Sequence, residues 1–290
     1  MAGALRRRRR AGGGGGVAMA RRRQRGVALI TALLVVALAT IATVAMTTRQ
    51  HLDIRRTGNL LEHDQAYWHA ASGEALAAQA LRLLADNPDA VPWEDCRTPP
   101  VVVPLDGQAV QVVAEDLHCR FNLNNLADPE DEASAETFLR LLEDVAADHG
   151  LGAVDPDGVL AALRDWMDPE VHDPWYAGQQ PPYSNPGTRL ATASELALVR
   201  GVTPELFQAL RPYVTAVPAQ GVAINPRRAP DRLLAATEAD PDQPPDTEGQ
   251  DSPDWVRLHI VVDSADRRYR QCSIVNAVTG EVVLRRLRAC

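Results

Sequence analysis

Four cysteines carry the clearest covalent chemistry in this sequence: Cys96, Cys119, Cys272 and Cys290. No two of them form a Cys-x-x-Cys pair and no histidine stands at ligand spacing, so they read as disulfides of an oxidising compartment and not as a zinc site. Four cysteines allow three connectivities, and sequence does not choose among them. Local pairing is expected, because 96 and 119 flank an expected strand pair while 272 and 290 flank an expected C-terminal hairpin. A second group able to do chemistry is Asp165, Asp168, Glu170 and Asp173, crowded into a short loop after an expected helix. Hard cations such as calcium take several such oxygens, which makes Asp165 and Asp168 the candidate metal ligands. The spacing is not that of an EF-hand, and the same acids read equally as the solvated end of a helix. Catalytic arrangements are missing. The seven histidines and five tryptophans are scattered, with no Gly-rich phosphate loop, nucleophile elbow or His-Glu-x-x-His pattern, so the chain is not expected to be an enzyme.

Oxidised thiols need a route across a membrane, and the N-terminus supplies one. Arg21-Arg-Arg-Gln-Arg-Gly26 runs directly into residues 27–47, an uncharged and mostly apolar stretch of 21 residues closed by Arg49. As a helix it reaches roughly 32 Å, about the thickness of a bilayer's hydrocarbon core. The basic cluster should stay cytoplasmic and everything after Arg49 should lie on the far side. A secretory signal peptide would have a shorter apolar core and a small-x-small site at its end, which residues 42–45 imitate only weakly. An ordinary membrane anchor is the stronger alternative. Upstream, residues 6–10 are all Arg and residues 12–16 all Gly, a low-complexity stretch with nothing to bury and no expected fold. Met19 is the expected true start, which would leave a compact leader of residues 19–26.

A basic leader that ends in Gly directly against an apolar helix resembles the processing site of type IV prepilins and pseudopilins. The resemblance implies that prepilin peptidase cuts after Gly26 and that the mature chain begins at Val27. Most of that family carries Glu at the fifth mature position, where this chain has Thr31. Removing residues 1–26 takes away nine Arg and no acids, leaving 21 basic against 38 acidic residues and a net charge of about −17. Such a surface argues against a nucleic-acid partner and suits divalent cations or other proteins.

The elements that would position these groups follow from periodicity. Neither Pro nor more than two Gly interrupt the pattern between Arg49 and Pro88, so one helix is expected from the membrane to about residue 85, its outer half amphipathic. The stripe to be buried combines Leu, Ala and aromatics, namely Leu52, Leu60, Leu61, Tyr67, Trp68, Ala71, Ala75, Leu76, Leu81 and Leu84, while Arg55, Arg56, Glu62 and Asp64 stay wet. Strands are expected at 101–103, 109–114 and 117–123, with Asp106-Gly107 as a hairpin turn. The period then becomes helical at 133–149, 157–167, 193–200, 204–215 and 230–237. Residues 240–254, rich in Pro and acids, read as an exposed loop. Strands at 255–263, 268–276 and 281–287 should join the earlier ones in one antiparallel sheet. The class is α+β: a long N-terminal helix packed on a sheet that a helical subdomain interrupts. The expected division is a leader 1–26, a transmembrane half 27–47, helix and first strands 48–126, a helical insert 127–220 and the remaining sheet 221–290.

Together these segments resemble the K-type minor pseudopilin of the type II (general) secretion pathway over nearly the whole mature chain. The residues that carry the resemblance are Gly26-Val-Ala-Leu-Ile-Thr31, Arg120-Phe-Asn-Leu-Asn-Asn-Leu126, Asp165-Trp-Met-Asp168, Pro181-Pro-Tyr183 and Ser194-Glu-Leu-Ala-Leu-Val-Arg-Gly-Val-Thr-Pro-Glu-Leu206. It implies a single-pass protein of the bacterial inner membrane with its C-terminal domain in the periplasm. It further implies a tip subunit that joins the I- and J-type minor pseudopilins, nucleates a fibre of the major pseudopilin and caps it during export of folded proteins across the outer membrane. Leu29, Ile30, Leu33 and Leu34 would supply its helix contacts. Calcium is implied in the inserted region, although the usual acidic stretch before Pro-Pro-Tyr is here Tyr176-Ala-Gly-Gln-Gln180. Ile224-Asn-Pro226 also departs from the family pattern. At a tip there is no subunit ahead to pair with a membrane-buried Glu, whereas the Thr31 hydroxyl can bond back to its own helix. The alternative reading comes from residues 195–210, which resemble a helix-hairpin-helix and would suit a membrane-anchored DNA-uptake protein; the acidic surround argues for a structural role instead.

Overall fold

The computed structural model describes residues 17–85, 87, 90–152, 154–237, 253–264 and 267–287. It divides into two compact units, Met1–His63 and Asp64–Cys290. Helix α1 (Val17–Leu84) is 68 residues long. No proline falls within it, and it stops where the chain approaches Pro88. In the first unit the apolar residues from Val27 to Met46 are all exposed. Their only polar side chains are threonines: Thr40 and Thr43 donate to the carbonyls of Val36 and Ala39 at 2.8 Å, and Thr47 to that of Thr43 at 2.9 Å. A helix whose polar atoms are satisfied internally is what a hydrocarbon environment requires. Among the described residues it is the one helix long and apolar enough to cross a membrane.

Among the described residues seven strands follow: β1 (Val101–Leu105), β2 (Gln108–Asp116), β3 (Phe121–Asn122), β4 (Val214–Thr215), β5 (Trp255–Ser264), β6 (Arg267–Asn276) and β7 (Glu281–Leu287). Five of them form an antiparallel sheet in the order β1-β2-β5-β6-β7. Asp106 and Gly107 turn the first hairpin with φ of 47° and 82°, the left-handed pair that a tight two-residue turn needs. The sheet closes across the long excursion of the chain by pairing β2 with β5, from Val110 opposite Val262 to Asp116 opposite Val256. Alternation then sorts the faces: Val110, Val112, Ala114, Val256, Leu258, Ile260 and Val262 point to one side and pack on Ala66, Ala70 and Ala78 of α1.

The buried apolar residues of α1 are thus Ala66, Ala70 and Ala78, none of them in the expected stripe, of which Leu81 packs partly buried against the same cluster. Trp68 is 66% exposed, and Leu52, Leu60, Leu61 and Leu76 also face outward. The reason is proximity. A Cβ placed on Gly73 would stand 2.6 Å from Val110 Cγ1, so the helix lies too close to β2 for larger side chains to intervene. Arg55, Arg56, Glu62 and Asp64 are exposed as expected.

Between β2 and β5 the chain builds a helical subdomain from α2 (Glu132–Asp148), α3 (Pro156–Met167), α4 (Pro204–Leu210) and α5 (Asp231–Thr237). Asp131, Asp155 and Thr203 cap the first three through their side chains. Phe138, Leu141, Leu142, Leu163 and Trp166 form the heart of its core, joined by Leu233 and Leu234 of α5 and by Phe121 and Leu123. Three expectations are corrected here. Residues 117–123 are not one strand: Leu117–Cys119 and Leu123–Ala127 are 3-10 turns around the two-residue β3. Residues 193–200 hold a 3-10 helix, Ala193–Leu198, in place of an α-helix. The helix expected at 204–215 ends at Leu210, because Pro212 has no N–H to carry it on, and Val214–Thr215 pairs in parallel with β3 instead. Residues 240–252 of the expected acidic loop lie outside the described residues.

Candidate functional site

In the first unit Gly26 and Val27 both lie inside α1, so the bond between them is in helical backbone. Thr31 Oγ1 donates to the Ala28 carbonyl at 3.0 Å, the back-bond its position called for. Leu29, Ile30, Leu33 and Leu34 surround it, 59–68% exposed. From Val27 to Thr47 the helix carries no charged side chain.

The second unit is held by carboxylates buried where arginines from distant strands reach them. Glu74 is 1% exposed on α1. Gln271 Nε2 donates to its Oε2 at 2.7 Å and Arg285 Nε donates to the same oxygen at 3.0 Å. Ser273 and a second Arg285 nitrogen complete the set. Glu115 is the counterpart on the opposite face of the sheet. His259 Nε2 lies 2.7 Å from its Oε2, Arg120 binds Oε1 through Nε at 3.0 Å and Nη2 at 2.6 Å, and Arg257 and Arg97 approach at 3.3 Å and 3.4 Å. Burial by itself would raise the Glu115 pKa; the hydrogen bond with His259 and the charges of Arg257 and Arg120 outweigh it and hold the carboxyl well below the usual range. Neither hub was anticipated from the sequence.

Three buried asparagines explain the motif that follows Arg120. Asn122 Nδ2 donates to the Ala219 carbonyl at 2.7 Å while its Oδ1 accepts from Val217 N at 2.8 Å. Asn124 donates to the carbonyls of Leu190 and Val217 and accepts from Leu190 N at 2.8 Å. Asn125 brackets Val222 the same way, donating at 3.0 Å and accepting at 3.1 Å. Each amide offers both donor and acceptor, so it mimics a strand neighbour and satisfies loop backbone that no ladder reaches. They clip the returning chain of the insert to its entry.

The acidic loop is used differently. Asp168 Oδ1 accepts from Glu170 N at 2.8 Å, and Asp173 Oδ2 pairs with Arg200 Nη1 at 2.7 Å. Among the described residues no three His, Cys, Asp or Glu side chains gather as a metal group. Trp166 packs edge-on to Tyr176 at 5.1 Å, and the Tyr183 hydroxyl donates to the Leu198 carbonyl at 2.9 Å. Val199 and Val202 are buried in the same core around Gly201, whose φ is 87°. With Arg200 engaged by Asp173, the hairpin-like segment at 195–210 is part of the core wall. Cys96 and Cys119 form a disulfide with Cα atoms 5.9 Å apart, which joins the segment before β1 to the 3-10 turn after β2. Cys272 is disulfide-bonded as well; Cys290, its expected partner, lies outside the described residues.

A membrane-length helix that continues onto an antiparallel sheet, with a helical subdomain inserted between two neighbouring strands of that sheet, defines the pseudopilin class in its enlarged, minor form. A family profile described as "Type II secretion system (T2SS), protein K" matches residues 119–219, from Cys119 of the disulfide to Ala219, whose carbonyl Asn122 holds. The sequence is 33% identical over 219 residues to type II secretion system protein K of Aeromonas hydrophila, covering 70% of this chain and 66% of that protein. It is 34% identical over 234 residues to the Klebsiella pneumoniae protein K, covering 73% and 70%, and 34% identical over 239 residues to the Pseudomonas aeruginosa one, covering 76% and 70%. It thus spans about two thirds of the length of these curated relatives. A chain in the crystal structure of the GspK-GspI-GspJ complex of enterotoxigenic Escherichia coli shares the fold, with a TM-score of 0.65 at 21% identity over 81% of this chain and 100% of that one. The chain belongs to the type II secretion system protein K family of minor pseudopilins.

Proposed function

We propose that the protein is the tip subunit of the periplasmic pseudopilus, non-enzymatic, anchored once in the inner membrane with its second unit in the periplasm. Prepilin peptidase removes residues 1–26 and Val27 becomes the N-methylated first residue. The mature subunit joins the I- and J-type minor pseudopilins to nucleate the fibre, and the helical insert then blocks addition ahead of it while the major pseudopilin extends the fibre from behind. The observation that carries this reading is Thr31, whose hydroxyl bonds back to Ala28. The helix end thereby needs no neighbouring amine to satisfy a charge in lipid. The outward face of α1, with Leu60, Leu61, Trp68 and Leu76 exposed, is the surface on which the partners' helices would lie. Partnership with I- and J-type subunits is supported by the shared fold with a chain of a complex that contains them.

Cleavage needs the Gly26–Val27 bond opened from the helix, and Gly is the residue whose helical conformation is cheapest to lose, by about 1 kcal/mol relative to Ala. The test is mass spectrometry of the membrane-extracted protein produced with and without prepilin peptidase. A mature N-terminus at N-methylated Val27 only when the peptidase is present is the expected result; an intact leader in both samples overturns the proposal.

A further inference from the structure

Just past the apolar run of α1 stand Arg49, His51, Arg55 and Arg56, all exposed within the first unit. Residues 27–61 hold three arginines against one acid, Asp53, whereas residues 62–290 hold 18 basic and 37 acidic residues. Beyond residue 26 the chain therefore gathers its excess of positive charge at the point where the helix leaves the hydrocarbon.

Depth follows from the rise of the helix. With Thr47 at the edge of the hydrocarbon, Arg49 lies about 3 Å beyond it and Arg56 about 14 Å. The headgroup layer is roughly 5–8 Å thick on each side of the bilayer. Helical side chains lean toward the N-terminus, here back toward the membrane, so the long stems of Arg55 and Arg56 bring their guanidinium groups down to that layer. Leu52 and Ile54, 49% and 68% exposed, alternate with the basic residues. Such a mixture of apolar and cationic side chains suits the boundary between headgroups and acyl chains.

Disposition around the helix decides the kind of partner. Seven residues separate Arg49 from Arg56, which places them on one face, while Arg55 is turned from Arg49 by about 120° and His51 by about 160°. A protein helix lying alongside meets one such face; a headgroup layer encircles the span and meets all of them. Arg56 is 3.8 Å from Asp53 with the two side chains 76% and 72% exposed, a contact that solvent screens to little. Guanidinium groups pair with phosphate through two parallel N–H bonds. A zwitterionic headgroup brings its own cation, so three arginines favour an anionic one. We propose that Arg49, Arg55 and Arg56 form a collar that binds anionic phospholipid headgroups in the leaflet where α1 emerges and holds the helix at a fixed depth. The inference rests on the reading of α1 as a membrane span.

The test is native mass spectrometry of the full chain, produced with prepilin peptidase and held in detergent micelles titrated with phosphatidylglycerol or phosphatidylcholine. Binding of phosphatidylglycerol at concentrations roughly tenfold or more below those for phosphatidylcholine is expected. Arg49→Gln and Arg55→Gln should each weaken it by about fivefold, the scale of one arginine at an anionic surface. Any contribution of a retained leader is common to every chain compared. Equal binding of the two lipids, a preference that survives both variants, or full competition by inorganic phosphate at the lipid's own concentration would each overturn the proposal. Carbonate extraction of membranes separates this inference from the one it rests on. A chain that stays in the membrane yet shows no lipid preference sinks the collar alone, and a chain that carbonate strips away sinks the span and the collar together.

Discussion

Glu74 on the N-terminal helix and Arg285 on the last strand of the sheet are bonded through both guanidinium nitrogens that face the helix, one of them at 3.0 Å. The pair is the polar counterpart of the alanine seam beside it, and the carboxylate holds the Arg285 guanidinium above its ordinary pKa through hydrogen bonding. A buried carboxylate on an otherwise small-residue helix face fixes the rotation and height of that helix against β6 and β7, because only one placement satisfies it.

Replacing Glu74 by Leu leaves Gln271, Ser273 and Arg285 without their acceptor. Removing one partner of a buried, hydrogen-bonded charge costs about 3 kcal/mol, here reduced because Arg285 keeps 38% of its side chain in solvent. Loss of about 2 kcal/mol is expected, read as a Tm lower by roughly 4–8 °C for a unit of this size. An unchanged Tm would mean that the pair is ornamental.

Gly73→Val tests the closeness of helix and sheet. The added Cβ meets Val110 Cγ1 at 2.6 Å, and neither element can yield without disturbing the alanine seam. Overpacking of this kind costs about 1–3 kcal/mol, which outweighs the gain in helix propensity over Gly. Gly58→Val, where nothing lies within 4 Å, is the control and should leave chemical denaturation midpoints unchanged.

Acid should loosen the second unit through Glu115. Its carboxyl is held below the ordinary value of 4.5 in the folded chain. The stabilisation is therefore complete at pH well above 4.5 and is lost as pH falls below that value toward the depressed folded one. Unfolding free energy measured by denaturant titration should decline below about pH 4.5, and Glu115→Gln should flatten that decline while lowering stability at neutral pH by about 3 kcal/mol. The same slope in the variant and the native protein would assign the acid response to other groups.

Much of this architecture was legible, and the misreadings share one cause. The β1–β2 hairpin announced itself through Asp106-Gly107, and helices α2 and α3 through their apolar spacing and aspartate caps. Residues 117–123 were misread although the alternation was real: Leu117, Cys119, Phe121 and Leu123 are all buried. What the pattern does not reveal is that Asp116 accepts from His118 N at 2.8 Å and Asn122 from Asn124 N at 3.4 Å, which turns an alternating run into 3-10 turns. The expected stripe of α1 mixed Leu, Ala and aromatics and missed Ala66, Ala70 and Ala78, because the approach of Val110, which reserves that face for Ala and Gly, leaves no trace in the local pattern. The carboxylate hubs were invisible for a different reason. Arg257 and His259 meet Glu115 from more than a hundred residues away, and no local spacing encodes such a meeting.

The membrane end offers the sharpest test of the tip reading. Thr31 stands among exposed Leu29, Ile30, Leu33 and Leu34 with its hydroxyl spent on Ala28. Thr31→Ala removes one internal bond and should leave exoprotein secretion at the native level. Thr31→Glu places a carboxylate in lipid at a cost of about 2–3 kcal/mol unless a partner amine arrives. For a subunit with another in front of it, that amine exists, and the variant would assemble as well as the native chain or better. For a subunit at the end of the fibre it does not, and membrane complexes with the other minor pseudopilins, measured by co-purification, should fall at least severalfold along with secretion. Full secretion by Thr31→Glu together with full complex formation would place the chain inside the fibre and not at its tip.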